Sequence, residues 1–303
     1  MLSEIFYFLL NMSVTASIAG LVILLIRRIK RIPRRVMVFL WAVPFIRMCV
    51  PFSLSSRFSL LNLIPRYVMR TVNAAPFDGV RMSTSNYVRA ADSYFPLTYK
   101  EDTLENVFKI SSFVWITIAA AMIIAMAILY VITMREIADS RRLVGNVYLS
   151  EKVESPALYG IVRPRIILPV SWAERDLKHV LKHERTHIKR CDNLWRVFAF
   201  TVAAVHWFNP LSWVFLKAFL ADLELACDES ALRGYDEDGR REYAAALLDT
   251  VTKRSAFASA FGGAKVRVRI ENVLSYKRIG VVSAICFSLL AAAIIYTLIT
   301  NAA

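Results

Sequence analysis

Cysteine and charged residues are scarce in this chain of 303 residues. The four cysteines, at positions 49, 191, 227 and 286, have no paired spacing, which excludes a disulfide framework and a CxxC metal knuckle. Free cysteines are typical of a reducing compartment, which we expect for the middle of the chain. Charged residues make up only 20% of the sequence and hydrophobic residues 57%, against roughly 45–50% apolar residues in soluble globular proteins. This composition argues against a purely cytosolic protein.

Acidic residues are outnumbered, with 38 Lys and Arg against 24 Asp and Glu and a net charge of +14. Six of the basic residues lie within the nine positions Arg27–Arg35. Over residues 135–278 the balance is only 24 basic against 18 acidic residues, without the interleaved aromatic and basic residues that bind nucleic acid. Much of the excess charge is therefore a topology signal, and we expect no direct nucleic-acid partner.

Four apolar runs are long enough to suggest membrane-crossing helices, which makes the lipid bilayer the first expected partner. The second run is the weakest, because Pro44, Arg47 and Pro51 interrupt it, and its arginine should face a neighbouring helix or snorkel. Acidic Glu4, and no basic residue, precedes the first run, which argues against a cleaved signal peptide. The runs are Ile5–Leu25, Val36–Leu54, Ile110–Met134 and Ile279–Ile299.

The distribution of lysine and arginine predicts the orientation, because basic loops stay in the cytoplasm. The basic connection Arg27–Arg35 is placed inside, so both chain termini are predicted outside the cell membrane. The predicted organisation is two membrane helices with a basic cytoplasmic loop in 1–54, an extracellular segment 55–109, a third membrane helix 110–134, a cytoplasmic domain 135–278 and a fourth membrane helix 279–303.

A metal-binding motif stands on the predicted helix Trp172–Asn193. His183 and His187 are four residues apart, so both can reach one zinc ion from the same helix face, and Glu184 lies close enough to take a proton from the attacking water. A solvated polar helix face is the alternative explanation. His179, another four residues earlier, is either a surplus ligand or, more plainly, a partly exposed histidine beside the site.

A catalytic zinc ion needs a third protein ligand and an open position. Glu224 and Asp228 are four residues apart on the predicted helix Ser212–Leu232, so one can bind metal while the other orients a ligand histidine. An ordinary acidic helix surface is the alternative. The hydrophobic stretch Leu194–Leu220 lies between the two motifs and is broken at Asn209-Pro210. A single crossing there would put Glu224 on the wrong side of the membrane, so we expect a membrane-associated helical hairpin at 194–220.

These motifs together resemble a known family. His183-Glu-Arg-Thr-His187 followed by Lys-Arg-Cys-Asp-Asn, then His206-Trp-Phe-Asn-Pro-Leu and Glu224-Leu-Ala-Cys-Asp-Glu, is similar to the integral-membrane zinc peptidases of the beta-lactam sensor-transducer (BlaR/MecR) family. The segment from Ser155 to Pro169 also resembles the family's segment ahead of the zinc helix. With the four runs, the resemblance covers nearly the whole chain.

The resemblance implies a set of site residues. One Zn²⁺ ion would be held by His183, His187 and Glu224, with Glu184 as general base and then general acid. Asp228 matches an acidic position one turn beyond the glutamate ligand in related gluzincin-type membrane peptidases, which favours a role in orienting a ligand.

Two further assignments stay open at this stage. His206 either donates to the oxyanion of the reaction or, as we favour, caps the break before Asn209-Pro210. A substrate would commonly add as a strand to a sheet edge, here Leu158, Tyr159 and Gly160 within Ala157–Val162, although a plain core strand is an equal alternative.

The expected fold is a mainly α integral membrane protein with four transmembrane helices and a cytoplasmic gluzincin-like α+β zinc peptidase domain. Its small sheet is predicted from Val147–Val153 and Ala157–Pro169. Gly234–Arg240 is predicted as a polar turn and Arg241–Val251 as a helix. Family members that detect beta-lactams carry a penicillin-binding domain after the last span. This chain ends at Ala303, so we expect either a truncated chain or a member with another input.

The expected function is a zinc endopeptidase acting in transmembrane signalling. Its protein substrates would be the chain itself, cleaved near residues 253–263, and a cytoplasmic transcriptional repressor, a partner implied only by the resemblance. A quality-control protease for membrane proteins would share the chemistry and differ in substrate. A non-catalytic transmembrane adaptor with a structural zinc fold is the non-enzyme alternative. The sequence also leaves a homodimer open.

Overall fold

The computed structural model describes residues 2–29, 32–50, 56–59, 102–249, 265–276 and 280–300. Most of the predicted extracellular segment 55–109 and the predicted self-cleavage region 253–263 lie outside these residues. The described part is mainly helical, with one small sheet. Its helices are α1 (Leu2–Arg27), α2 (Arg34–Cys49), α3 (Asp102–Glu136), α4 (Lys178–Arg190), α5 (Asp192–Val205), α6 (Pro210–Ala231), α7 (Glu237–Asp249), α8 (Val266–Leu274) and α9 (Val281–Ile299). Its strands are β1 (Arg141–Val144), β2 (Val147–Ser150), β3 (Ala157–Tyr159) and β4 (Arg165–Pro169).

Two described helices are long and apolar enough to cross a membrane. They are α1, with a mean hydropathy of 2.2, and the segment Asn106–Glu136 of α3, with 2.5. Helix α2 has 16 residues and contains Pro44, and α9 has 19. Arg47 of α2 is buried and donates to the carbonyl oxygens of Leu298, at 3.0 Å, and Ile299 at the end of α9. The two long helices indicate a membrane protein, and four crossings stay a prediction.

Helices α5 and α6 form a hairpin that turns at Asn209-Pro210. Asn209 caps α6 by accepting a hydrogen bond from the Leu211 amide at 3.0 Å, and Pro210 takes the first helical position, where a missing N–H costs nothing. The Asn209 amide nitrogen also donates to the hydroxyls of Ser13, at 2.7 Å, and Ser17, at 2.8 Å, on α1. These bonds satisfy the hydrogen-bonding groups of the Asn209 side chain at a turn inside an apolar bundle.

One hydrophobic core joins the α5–α6 hairpin to α1, α2 and α9. It contains buried apolar residues of α1, α2, α5, α6 and α9. Phe215 of α6 is fully buried, with its ring centroid 5.8 Å from that of Trp41 on α2. Gly20 of α1 allows this close approach, because a Cβ there would lie 2.2 Å from the Phe215 ring. The hairpin is therefore packed into the helix bundle.

The sheet has the strand order β1-β2-β4-β3. β2 and β4 pair in parallel, while β1 and β3 pair antiparallel to their neighbours. Ile166 and Leu168 of β4 are fully buried and pack with Leu181 and Ile188 of α4, which fixes the zinc-motif helix against the sheet. β3 lies at the edge of the sheet.

The local predictions hold in part. The sheet lies where the alternating pattern predicts it, with β1 added in front and a turn after Tyr159 dividing Ala157–Pro169 into β3 and β4. Helix α4 begins only at Lys178, after a 3-10 turn at Val170–Trp172. The predicted turn Gly234–Arg240 is too long, because α7 begins at Glu237 with two acidic residues in its first turn, where they favour a helix N-terminus.

Candidate metal centre

The two histidines of the motif meet on one face of α4. His183 and His187 are 7% and 3% exposed, and their Nε2 atoms lie 3.0 Å apart. The helix ends at Arg190, and Cys191 adopts a left-handed conformation with φ 55° before α5 begins at Asp192. This tight turn folds the start of α5 back against the last turn of α4.

Glu224 reaches the histidines from α6. Its Oε2 atom lies 3.8 Å from His183 Nε2, and its Oε1 atom lies 3.7 Å from His187 Nε2. Zinc ligands stand about 2.0–2.2 Å from the ion, so the ligand atoms of a tetrahedral site are roughly 3.3 Å apart. Two imidazoles and one carboxylate also form a typical catalytic zinc set. The three side chains therefore fit one zinc ion.

The Nδ1 atoms of both histidines face acceptors or hydroxyls away from the metal position. His187 Nδ1 lies 2.6 Å from Asp192 Oδ2. His183 Nδ1 lies 2.9 Å from the Tyr243 hydroxyl and 3.2 Å from Asp228 Oδ1. The Tyr243 hydroxyl donates to Asp228 Oδ1 at 2.8 Å. Such partners fix the orientation of ligand imidazoles and raise their basicity.

Cys227 forms a second three-residue group with the same histidines, and its Sγ atom could serve as a metal ligand. Sγ lies 3.7 Å from His183 Nδ1 and 3.6 Å from the His183 carbonyl oxygen. It therefore stands on the Nδ1 side of His183, whose Nδ1 atom already contacts Tyr243 and Asp228. The Nε2 atoms face each other and Glu224, so we favour Glu224 as the third ligand.

Opposite charges are concentrated at the site. Burial lowers the pKa of His187, but Cys227, Glu224 and the hydrogen bond to Asp192 raise it to about 9. Burial raises the pKa of Glu224, but His187, Arg196 and Arg269 lower it to about 2. The carboxylate of Glu224 therefore remains ionised.

A cavity of about 550 Å³ opens onto the metal position. Glu184, 8% exposed, lines it next to the two histidines. The predicted substrate strand lies on its wall through Leu158, Tyr159 and Gly160. Burial raises the pKa of Tyr159, and the charges of Glu136 and Glu184 add to this effect. Apolar side chains of α3 form the opposite wall.

The other two histidines are not placed to bind the metal. His206 lies at the far end of α5, roughly 20 Å of helix away from Asp192, and its Nε2 atom donates to the Met48 carbonyl at 3.0 Å. Among the described residues it takes no part in the metal centre, so the oxyanion role is not available to it. His179 is buried instead of partly exposed, and its nitrogens face Tyr235 at 3.0 Å and Glu242 at 3.4 Å.

Several residues of the site were not predicted from the sequence. Asp192 follows the histidine motif by five residues, so it could have been found as a local carboxylate partner. Tyr243, Arg196 and Arg269 carry no motif, and only packing brings them to the metal position. Asn193, next to Asp192, donates to the carbonyl oxygens of Leu158 in β3 and Gly160 just after it, and also belongs to the site.

Comparison with known proteins gives a consistent result. The family model described as BlaR1 peptidase M56 matches residues 7–273. The regulatory protein BlaR1 of Bacillus licheniformis is 31% identical over 131 residues, which are 39% of this chain and 22% of that protein. The methicillin resistance mecR1 protein of Staphylococcus aureus strain Mu50 is 23% identical over 103 residues, 33% of this chain and 18% of that protein. The regulatory protein BlaR1 of Staphylococcus aureus is 22% identical over 135 residues, 41% of this chain and 23% of that protein. The aligned part of the chain thus spans only about a fifth of these relatives.

Proposed function

The chain belongs to the BlaR1 peptidase M56 family, and from this membership we propose that it is a membrane-embedded endopeptidase that uses one Zn²⁺ ion to hydrolyse peptide bonds. The observation that carries the proposal is the convergence of His183, His187 and Glu224, from two helices, within 3.0–3.8 Å of one another. A purely structural zinc site usually closes its fourth position with another protein ligand, whereas here a cavity faces the ion position. This arrangement argues against the adaptor alternative.

Each residue has a separate task in hydrolysis. Held by His183, His187 and Glu224, Zn²⁺ would polarise the scissile carbonyl and lower the pKa of a coordinated water. Glu184 accepts a proton from the attacking water and delivers it to the amide nitrogen of the leaving segment. Asp192 keeps the Nε2 atom of His187 directed at the ion, and Asp228 does the same for His183.

We propose that the substrate binds as an added strand on β3. The carbonyl oxygens of Leu158 and Gly160 accept hydrogen bonds from Asn193 Nδ2 at 3.4 and 3.0 Å, so they point away from β4. An extended peptide that replaces Asn193 at these acceptors would pass Glu184 and the metal position. Tyr159 between them directs its own backbone groups towards β4.

The cellular assignment is also a proposal. We propose that the peptidase part lies in the cytoplasm, with both termini outside and four helices across the membrane, because the basic cluster Arg27–Arg35 is typical of a cytoplasmic loop. The BlaR1 relatives from Bacillus licheniformis and Staphylococcus aureus are named regulatory proteins, which supports a role in signalling. We propose that the enzyme cleaves itself, a cytoplasmic transcriptional repressor, or both, as a monomer or a homodimer.

The decisive experiment replaces the general base. Glu184→Gln keeps the shape of the side chain but removes its proton acceptor, so cleavage of casein by the zinc-loaded protein in lipid nanodiscs should fall by about 10²–10⁴-fold. Zinc content should not change. Glu174→Gln is the matched control, because Glu174 is exposed and lies outside the cavity. A Glu184→Gln protein that cleaves at the parent rate would contradict the mechanism.

The same variant separates the biological alternatives. Proteomes of cells that carry the parent protein or Glu184→Gln should differ by one transcription-factor fragment if the enzyme is regulatory. Loss of many membrane-protein fragments would instead indicate quality control. Identical proteomes would support the adaptor.

A further inference from the structure

Arg269 of α8 lies inside the metal centre although it belongs to no recognised motif. Its side chain is 6% exposed. The Nη2 atom lies 3.2 Å from His183 Nε2 and 3.5 Å from His183 Nδ1, and the Nη1 atom lies 3.5 Å from Glu224 Oε2. His183 Nε2 and Glu224 Oε2 are proposed metal-ligand atoms. The guanidinium group therefore stands beside the ion position and on the wall of the cavity.

Asp228 holds this guanidinium group in a fixed orientation. Arg269 donates from Nε to Asp228 Oδ2 and from Nη2 to Asp228 Oδ1, both at 2.8 Å. Two parallel hydrogen bonds of this kind leave a planar guanidinium little freedom. Tyr243 donates to the same carboxylate and so holds Asp228 in turn. The Nη1 edge is left facing Glu224 and the ion position.

A buried ion pair that only stabilises the fold is the simpler explanation. It accounts for the contact with Asp228 but not for a cation placed against His183 Nε2, a contact that works against metal binding. Two other carboxylates of the site already have arginine partners, because Arg196 contacts Glu224 and Arg190 contacts Asp192. A further positive charge at the ion position is useful only if negative charge arrives during the reaction.

We infer that Arg269 is a catalytic residue that binds the carbonyl oxygen of the scissile bond as it becomes negatively charged, with Asp228 as its positioning residue. The inference rests on the proposed peptidase function. The water oxygen bonds to the carbonyl carbon, the π electrons move onto the carbonyl oxygen, and the water's proton passes to Glu184. When the carbonyl re-forms, the C–N bond breaks and the nitrogen takes that proton. Arg269 takes the role that the sequence left open for His206.

The test measures turnover and anion binding separately. Arg269→Gln should lower kcat for casein by about 10²–10³-fold with little change in KM, the usual cost of one oxyanion donor. Inorganic phosphate is the second probe, titrated into the Co²⁺-loaded protein in detergent and followed by the visible spectrum of the ion. Its dissociation constant should rise about tenfold or more, because a charged hydrogen bond is lost. Arg269→Lys keeps the charge, so it should retain part of the parental kcat and part of the parental phosphate affinity.

Arg267→Gln is the matched control, because Arg267 lies two residues earlier on α8 and its side chain is 89% exposed. An Arg269→Gln protein with parental kcat and phosphate affinity would overturn the inference. Loss of metal binding in both Arg269 variants would also overturn it, since Arg269 would then serve the fold. A parent protein that cleaves nothing would instead remove the proposed function, while a weakened phosphate affinity would still support anion binding by Arg269.

Discussion

At the scale of single residues, the candidate metal centre depends on side chains that hold the proposed ligands in orientation. Asp192 is 1% exposed, and its two oxygens contact His187 Nδ1 and Arg190 Nε at 2.6 and 3.1 Å. The arginine holds the carboxylate in place, and the carboxylate fixes the tautomer of His187. The orientation of the proposed ligand His187 is thus set by residues outside the proposed ligand set.

We expect Asp192→Asn to weaken zinc binding by roughly 10–100-fold, the usual effect of removing such a partner. The amide cannot support the ligand tautomer as a carboxylate does, because it offers less negative charge. Competition with a chromogenic chelator measures the affinity. Asp139→Asn is the control, since Asp139 is 82% exposed in a surface pair with Lys152. Equal affinities for the two variants would show that His187 needs no carboxylate.

At the scale of elements, the α5–α6 hairpin brings Glu224 back to the histidines. Its position depends on close contact with α1, where Gly20 faces the ring of Phe215. Phe215 is itself confined by Trp41, so it has little room to move. The small residue on α1 therefore sets how deeply the hairpin packs.

Gly20→Ala should lower the free energy of unfolding by about 1–3 kcal/mol, the usual cost of overpacking a core. Gly280→Ala is a suitable comparison, because nothing lies within 4 Å of a Cβ at that position. Thermal unfolding in detergent, followed by circular dichroism, should show a lower midpoint for the Gly20 variant alone. Equal midpoints would mean that α1 and α6 move apart to accommodate the added methyl group without loss of stability.

At the scale of the whole molecule, one buried carboxylate joins the N-terminal helices to the peptidase part. Asp222 is fully buried on α6, two residues before Glu224. It accepts hydrogen bonds from Arg27 at 2.8 Å, Arg34 at 3.3 Å and the Trp41 indole at 2.9 Å. The basic residues that predict orientation thus also attach α1 and α2 to α6, the helix that carries Glu224.

Asp222→Asn should destabilise the protein by about 1.5–3 kcal/mol, the range of one hydrogen bond to a charged group. A double-mutant cycle with Arg27→Gln should show a non-additive effect, since the two side chains interact directly. Chemical unfolding in detergent provides the free energies. Asp238→Asn is the control, because Asp238 is 84% exposed. Additive effects of the Asp222 and Arg27 variants would show that the contact adds no stability.

The sequence predicted the parts of this protein that depend on local spacing. Four residues separate His183 from His187, and the period of a helix alone places them on one face. The alternating pattern of Val147–Ser150 and the β-branched run in β4 likewise predicted strands. Helix α8 was missed because its nine residues alternate charged and apolar side chains and cover a core only through tertiary packing.

The sequence by itself determined the membrane character, the histidine motif and the two acidic residues that are candidates for the third ligand. Only the tertiary structure shows Glu224 at the Nε2 atoms of the two histidines and Asp228 behind His183, which favours Glu224 as the proposed ligand. It also removed His206 from the site and brought Arg269 to it across 86 positions of sequence. The physical reason is that a helix fixes only neighbours within a turn or two. Contacts between distant segments depend on which faces pack together, and in this protein the hairpin and α8 decide that.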